Sequence, residues 1–142
     1  MPTGPQRDAV TFFLDRSIGK AQLAERIRQA GHQVEIHDDH LPRDAPDEAW
    51  LELCGERGWV ALTIDRLRDR PNERAAVRDG SARVLIVRAG RRSGTEIGDL
   101  VIRKLRSIEA FCAAHAPPFL AVLSSRGLRT VRLPRGPGRV AE

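Results

Sequence analysis

The stretch HDDHLPRDAPDEAWLELCGERGWVALTIDRLRDRP, residues 37–71, decides which fold this sequence can adopt. At its centre, residues 59–63 are apolar and partly β-branched, which predicts a short buried strand that ends abruptly near Asp65. A helix is predicted to begin near Asp47 and to stop at Gly58. A helix followed directly by a buried strand is typical of an α/β domain.

Carboxylates follow two other predicted strands in the same way. Residues 10–14 form an apolar run that ends at Asp15, and residues 34–37 run into Asp38 and Asp39. Three strands therefore place acids at their C-terminal ends. In an open α/β sheet that edge forms the ligand crevice, at the point where the strand order reverses.

The rest of the chain continues the alternation of strands and helices. Residues 84–87 and 119–123 are apolar, as expected for parallel strands covered on both faces, and residues 97–115 predict one long amphipathic helix. Residues 128–133 alternate polar and apolar side chains, which favours an antiparallel edge strand. We predict a three-layer α/β/α domain with a mostly parallel central sheet and an antiparallel edge strand near the C-terminus.

A chain of 142 residues is long enough for one domain and too short for two good cores. We expect a flexible N-terminus at residues 1–8, the folded domain at 9–133 and a flexible tail at 134–142. No apolar run could span a bilayer and residues 1–8 do not resemble a secretory peptide, so we expect a cytoplasmic location. The two cysteines, Cys54 and Cys112, have no metal-site spacing and are interpreted as buried core thiols.

The charge balance leaves two interpretations open. The chain carries 24 Lys plus Arg against 19 Asp plus Glu, a formal charge of +5, and nearly all of the cations are arginine. Arginine binds phosphate with a planar fork, so the excess could indicate a polyanionic partner. It could equally reflect the base composition of the gene.

Acids gathered at one sheet edge repel one another unless a cation neutralises them. Mg²⁺ or Mn²⁺, which prefer oxygen ligands, would fit such a site, whereas zinc would not. Metal ions held in this way can activate water and stabilise the leaving oxygen of a phosphodiester. Acids for metal together with arginines for phosphate are typical of a metal-dependent nuclease.

Three short motifs carry a resemblance to a known family: FLDR at residues 13–16, DEAWL at 47–51 and GWVALTID at 58–65. They resemble the acidic motifs of PIN-like domains, in the branch of VapC-type toxin ribonucleases, and the resemblance covers roughly residues 10–123. It implies a Mg²⁺-dependent endoribonuclease, the toxin of a type II toxin–antitoxin pair. Its expected partners are an RNA substrate, a cognate small antitoxin protein and a second copy of the chain in a homodimer, with no membrane.

The resemblance also implies the site residues. Asp15, Asp47 and Asp65 match the catalytic, metal-binding acids, and Asp39 or Glu48 could take the place assigned to Asp47. Many PIN-like domains have another acid shortly after the third motif; Leu67 stands there in this chain, so Asp69 is the substitute. The arginines predicted to contact RNA are Arg16, Arg66, Arg68, Arg91 and Arg92.

Other interpretations of the same residues remain open. A non-catalytic nucleic-acid or protein-binding module would keep the fold with an incomplete metal site, and Leu67 supports it. A receiver-like phosphoacceptor domain also uses clustered acids and Mg²⁺, but no lysine follows a late strand. The run His37-Asp38-Asp39-His40 suggests a transition-metal site, yet adjacent residues of an extended segment point to opposite faces.

Overall fold

The computed structural model of the chain describes residues 10–18, 21–67 and 71–135. The predicted flexible segment at 1–8, most of the predicted tail, Arg68 and Asp69 lie outside these residues. The first two residues of the tail are described, and Arg78 donates to the carbonyl oxygens of Pro134 and Arg135, at 3.1 and 2.6 Å. The flexibility of either terminus, and with it the predicted domain boundaries, stays a prediction.

In the described part of the chain, six strands form one sheet in the order β2-β1-β3-β4-β5-β6. Neighbouring strands are parallel except for β5 and β6, which form an antiparallel hairpin. The strands are β1 (Thr11–Leu14), β2 (Gln33–Ile36), β3 (Val60–Thr63), β4 (Arg83–Val87), β5 (Phe119–Ser124) and β6 (Gly127–Thr130). The predicted fold class, with its antiparallel edge strand, is confirmed.

The described helices are α1 (Ala21–Gln29), α2 (Asp47–Arg57), α3 (Pro71–Asp79), α4 (Gly94–Arg103) and α5 (Leu105–Ala114). The single helix predicted over residues 97–115 was wrong, because α4 and α5 are separated at Lys104. The Lys104 N–H is shared between the carbonyl oxygens of Leu100 and Val101, at 3.1 Å each, which tightens this turn. Each helix in the described part of the chain is too short or too polar to span a lipid bilayer.

The two faces of the sheet carry separate cores. Along β1, Phe12 and Leu14 face the core beneath α1, α4 and α5, whereas Phe13 faces the core beneath α2 and α3. The period of two follows from the alternation of side chains along a strand. Because both faces are covered, β3 is buried at every position and reads as a continuous apolar run.

Candidate metal site

The sheet reverses its strand order between β1 and β3, which are neighbours although β2 lies between them in sequence. Strand β2 lies on the outer side of β1, and β4 lies on the opposite side, next to β3. The Asp15 N–H donates to the Leu62 carbonyl oxygen at 3.1 Å, so the C-terminal ends of both strands meet at this point. A crevice at such a switch point is the usual ligand site of an open α/β sheet.

Three carboxylates converge at the C-terminal edge of the sheet. Asp47, Asp65 and Glu73 each offer one oxygen, and these three oxygens lie within 4.8 Å of one another. Asp65 follows β3, whereas Asp47 and Glu73 lie in the first turns of α2 and α3. The helices of a parallel α/β unit run back along the strands, so their N-termini lie at the same edge as the strand C-termini.

Trp50 fixes the position of Asp47. The Trp50 indole N–H donates to Asp47 Oδ1 at 3.0 Å, and the ring is fully buried. It stacks on Phe13 with ring centroids 5.9 Å apart, which ties the start of α2 to β1. A carboxylate oriented by a buried indole loses little freedom when it binds a ligand.

Close packing of α2 against α3 brings together the two helices that carry Asp47 and Glu73. At Gly55 of α2 a Cβ atom would lie only 1.9 Å from the Gly80 carbonyl oxygen, which immediately follows α3. Only glycine permits this approach of two backbones. The contact therefore fixes the separation of the helices whose first turns carry Asp47 and Glu73.

Asp15 is buried beside this group and is held by two hydroxyls. Its Oδ2 accepts hydrogen bonds from Thr63 Oγ1 and Ser17 Oγ, both at 2.7 Å. Thr63 Oγ1 also accepts from the Asp65 N–H at 3.0 Å, and Ser17 Oγ accepts from the Ile64 N–H at 3.1 Å. A single hydroxyl thus links the Asp15 carboxylate to the backbone of Asp65.

The structure thus brings together two of the three predicted catalytic acids, Asp47 and Asp65, and adds Glu73, which the sequence interpretation missed. Asp15 is not one of the three acids whose oxygens converge, and its role as a metal ligand stays a prediction. Asp47 was selected through the family resemblance of its motif, and Glu73 lies in no such motif; the local feature that the two share is an acid in the first turn of a helix.

Two other predicted metal ligands, Glu48 and Asp39, are not members of this group, and Asp69 lies outside the described residues. Glu48 is exposed at the start of α2, and Asp39 is exposed in the 3₁₀ turn His37–Asp39. Neither belongs to the cluster of converging oxygens, and their roles as ligands stay predictions, as does that of Asp69. Leu67 is fully buried in the core beneath α2 and α3, which explains why an acid is absent at that position.

The run at residues 37–40 does not form a metal site. His37 Nδ1 lies 3.1 Å from Asp38 Oδ1, and His40 Nε2 lies 2.7 Å from Glu35 Oε1. Within the described residues the cluster of Asp47, Asp65 and Glu73 is the group whose geometry suits a metal ion. The pKa of the Asp38 carboxyl is lowered, chiefly by its hydrogen bond with His37. Arg16, which donates to Asp38 at 2.9 Å, lowers it further.

The arginines predicted to contact RNA lie in different surroundings. Arg16 is ion-paired with Asp38, and the side chain of Arg92 donates to the Arg88 carbonyl oxygen at 2.9 Å. Arg66 is exposed next to Asp65 and lines a cleft, and Arg91 is exposed in the loop after β4. Contact with RNA stays a prediction for all of them.

The donor set fits Mg²⁺ or Mn²⁺. These ions take oxygen ligands at about 2.1 Å, so two ligands on opposite sides of one ion are about 4.2 Å apart. At most two of three ligands can lie opposite each other, and adjacent ligands of an octahedral ion are about 3 Å apart, so the three oxygens, which lie within 4.8 Å of one another, would draw closer together on binding. All three acids are half-buried and offer oxygen alone, which disfavours soft metals.

Comparisons with known proteins agree with this geometry. Residues 10–89 match the family model described as "PIN like domain", which covers β1 to the end of β4 and all the acids above. The chain belongs to the PIN-like domain family. A similar protein is "Putative ribonuclease VapC45" of Mycobacterium tuberculosis (strain ATCC 25618 / H37Rv), 27% identical over 114 residues, which cover 77% of this chain and 82% of the relative. The comparison with solved structures gives no significant match.

Proposed function

We propose that the protein is a Mg²⁺- or Mn²⁺-dependent endoribonuclease that hydrolyses RNA phosphodiester bonds. One observation carries the proposal: the oxygens of Asp47, Asp65 and Glu73 converge within 4.8 Å at the switch point of a PIN-like sheet. Three converging carboxylates repel one another, and a divalent cation relieves that repulsion. The relative named as a ribonuclease supports RNA as the substrate.

In this mechanism Asp47, Asp65 and Glu73 would hold the metal, with Asp15 at the same edge as a further ligand. A bound divalent ion would supply an activated water molecule and positive charge against the phosphate. Thr63 and Ser17 orient Asp15 through their hydrogen bonds, so the carboxylate needs little reorganisation. Arg66, the residue after Asp65, would hold the phosphate backbone.

The biological role that we propose is that of a toxin in a type II toxin–antitoxin pair, inhibited by a small antitoxin protein. This part rests on the VapC name of the relative and on the family resemblance of the acidic motifs. Such a toxin would act on cellular RNA in the cytoplasm. Induced expression is expected to arrest growth, Asp65→Asn is expected to remove the effect, and a small reading frame beside the gene is expected to encode the inhibitor.

RNA cleavage by the purified protein tests the proposed chemistry. We expect cleavage with Mg²⁺ or Mn²⁺ and none with EDTA. Asp65→Asn should lower the rate by at least about a hundredfold, since even outer partners of metal ligands contribute 10- to 100-fold. Asp99→Asn is the matched control, because Asp99 is exposed on α4 and paired with Arg26. Full activity of Asp65→Asn, or cleavage in EDTA, would contradict the proposal.

The alternative, a binding module with an incomplete site, rested on Leu67. Glu73 weakens that argument, since it supplies a carboxylate from α3 that can replace the acid missing at position 67. Calorimetric titration with Mn²⁺ separates the two proposals. The nuclease proposal expects saturable binding that Glu73→Gln and Asp65→Asn each weaken, and the binding-module proposal expects none.

A further inference from the structure

A basic groove leads away from the acids towards the far edge of the sheet. It consists of two depressions of about 300 and 360 Å³ that share Arg88 and Val122 in their walls. The first begins at Ile64 and Arg66, directly beside Asp65, and the second ends at the turn between β5 and β6. Because they share these two residues, the depressions are adjacent, and together they are called the hairpin groove below.

Four arginines line the hairpin groove, namely Arg66, Arg88, Arg126 and Arg129, and all four are exposed. Among the residues that the structure describes, no acid or carbonyl oxygen engages the guanidinium groups of Arg88, Arg126 and Arg129. Arg26 and Arg78, by contrast, are ion-paired with Asp99 at 2.8 Å and with Asp79 at 2.7 Å. The groove therefore concentrates uncompensated positive charge.

The β5–β6 hairpin positions two of these arginines by its backbone geometry. Ser124 is paired with Gly127, whose φ of 119° closes the turn, and the Arg126 N–H donates to Ser124 Oγ at 3.2 Å. Arg129 lies opposite Val122 in the register, so its side chain stands on the same face as Val122. That face carries the core beneath α2 and α3, where Asp47 and Glu73 also lie.

We propose that the hairpin groove binds the phosphate backbone of single-stranded RNA on one side of the bond that is cut. This inference rests on the proposed function and adds the path that the substrate follows. Arginine forks match phosphate oxygens, and the hydroxyls of Ser124 and Ser125 add shorter contacts. A concave groove leading to recessed acids suits one strand rather than the convex surface of an A-form duplex.

The residues that line the hairpin groove also predict how selective its RNA binding is for sequence. None of the described lining residues of either depression is aromatic, so the groove offers no platform for stacking bases. Phosphate contacts position a strand and carry no sequence information directly. The groove thus favours longer RNA over shorter RNA without reading its sequence.

Equilibrium binding of a labelled 12-nucleotide RNA in EDTA, where cleavage is suppressed, tests the inference. The double variant Arg126→Gln/Arg129→Gln is compared with the control Arg103→Gln/Arg106→Gln, which removes the same charge from exposed positions on α4 and α5. Each phosphate contact with a single strand contributes about 0.7 to the slope of log K against log salt. The groove variant should lose about 1.4 of that slope and bind about tenfold more weakly near 0.1 M salt, and the control should match the wild type.

Two further measurements sharpen the test. In cleavage, the groove variant should raise KM and leave kcat unchanged, because the hairpin lies away from the reacting atoms. Arg126→Lys/Arg129→Lys should restore most of the salt slope, since it keeps the charge and loses only the fork. A wild-type preference for 12-nucleotide over 4-nucleotide RNA should disappear in the glutamine variant.

The outcomes separate the inference from the proposed function. If wild-type protein binds and cuts RNA but the groove variant behaves like its control, the groove assignment is wrong and the nuclease stands. If the groove variant loses RNA binding while the wild type never cuts RNA, the groove stands and the nuclease fails. Absence of both binding and cleavage in the wild type overturns both.

Discussion

The two ends of the parallel sheet bury polar groups in opposite ways. At the N-terminal end, the Val10 N–H donates to His32 Nδ1 at 3.0 Å, and His32 Nε2 therefore carries a proton that it donates to Glu109 Oε2 at 2.7 Å. The His32 ring also packs edge-on against Phe12. At the C-terminal end, Asp47, Asp65 and Glu73 point at one another instead.

The difference teaches how to tell a structural polar cluster from a binding site. Donor and acceptor pair at the His32 end, so that cluster is complete and stabilises the fold. Groups of like charge converge at the acid end, and a bound divalent cation would relieve their repulsion. Substitutions at the two ends should therefore affect different properties, stability at one and ligand binding at the other.

The largest expected effect is at the acid end, for Glu73→Gln. Removal of one of three carboxylate charges should lower both Mn²⁺ affinity and cleavage by at least about a hundredfold, with little change in the free energy of unfolding. Calorimetry and a cleavage assay measure the two losses. Glu52→Gln, exposed on α2, is the control. If Glu48→Gln caused the loss and Glu73→Gln did not, Glu48 would be the ligand.

His32→Ala should have the next largest effect, and only on stability. It leaves the Val10 N–H without its acceptor, leaves Glu109 without its donor and opens a cavity beside Phe12. Together these changes should cost about 2–4 kcal/mol in the free energy of unfolding, measured with urea. The cleavage rate per folded molecule should be unchanged. A selective loss of cleavage in a stable variant would break the comparison between the two ends.

Gly55→Ala should affect both stability and metal binding, each by less than the substitutions above. Its Cβ meets the Gly80 carbonyl oxygen, which is backbone and cannot rotate away, so α2 and α3 must separate. We expect a cost of about 1–3 kcal/mol in unfolding free energy and weaker Mn²⁺ binding, because Asp47 and Glu73 move apart. Gly98→Ala on α4 is the control for altered helix propensity, because an added Cβ there meets only side-chain atoms, Arg26 Nη1 at 3.4 Å and Leu23 Cδ1 at 3.8 Å. Unchanged Mn²⁺ affinity in Gly55→Ala would show that the helix separation does not set the site.

Ser17→Ala should have the smallest effect. Asp15 loses one of its two hydroxyl donors, and the Ile64 N–H loses its acceptor, while the Thr63 bond remains. The expected cost is about 1 kcal/mol in unfolding free energy, with a loss of cleavage no larger than about tenfold. Ser17→Thr, which keeps the hydroxyl, should recover most of both. A loss as large as that of Glu73→Gln would mean that Ser17 contacts the substrate or metal itself.

The sequence was sufficient for most of the elements and for the edge at which acids gather, because both depend on local patterns; the break at Lys104 between α4 and α5 was not foreseen. Strand ends at Asp15 and Asp65 and the helix start at Asp47 can be recognised from neighbouring residues. The strand order cannot, since β1 pairs with β3 across a separation of 48 residues. For the same reason the contacts of Ser17 with Thr63 and Ile64 appear only once the sheet has formed.

Arg66 of the hairpin groove was predicted to contact RNA, whereas Glu73 and the arginines of the hairpin were missed, for different reasons. Glu73 carries a local signal, an acid in the first turn of a helix, but attention to strand ends passed over it. Arg126 and Arg129 carry none, because their position depends on the pairing of β6 with β5 and on β5 lying beside β4. Surface charge that is clustered in space need not be clustered in sequence.

The buried cysteines have a practical consequence for testing these proposals. Burial raises the pKa of both thiols, to about 11 for Cys112 and further for Cys54, which also lies near the charge of Asp15. A neutral, buried thiol reacts poorly with maleimides and iodoacetamide. A cysteine introduced at exposed Ser125 should therefore accept a fluorophore or spin label selectively, without removal of either native cysteine.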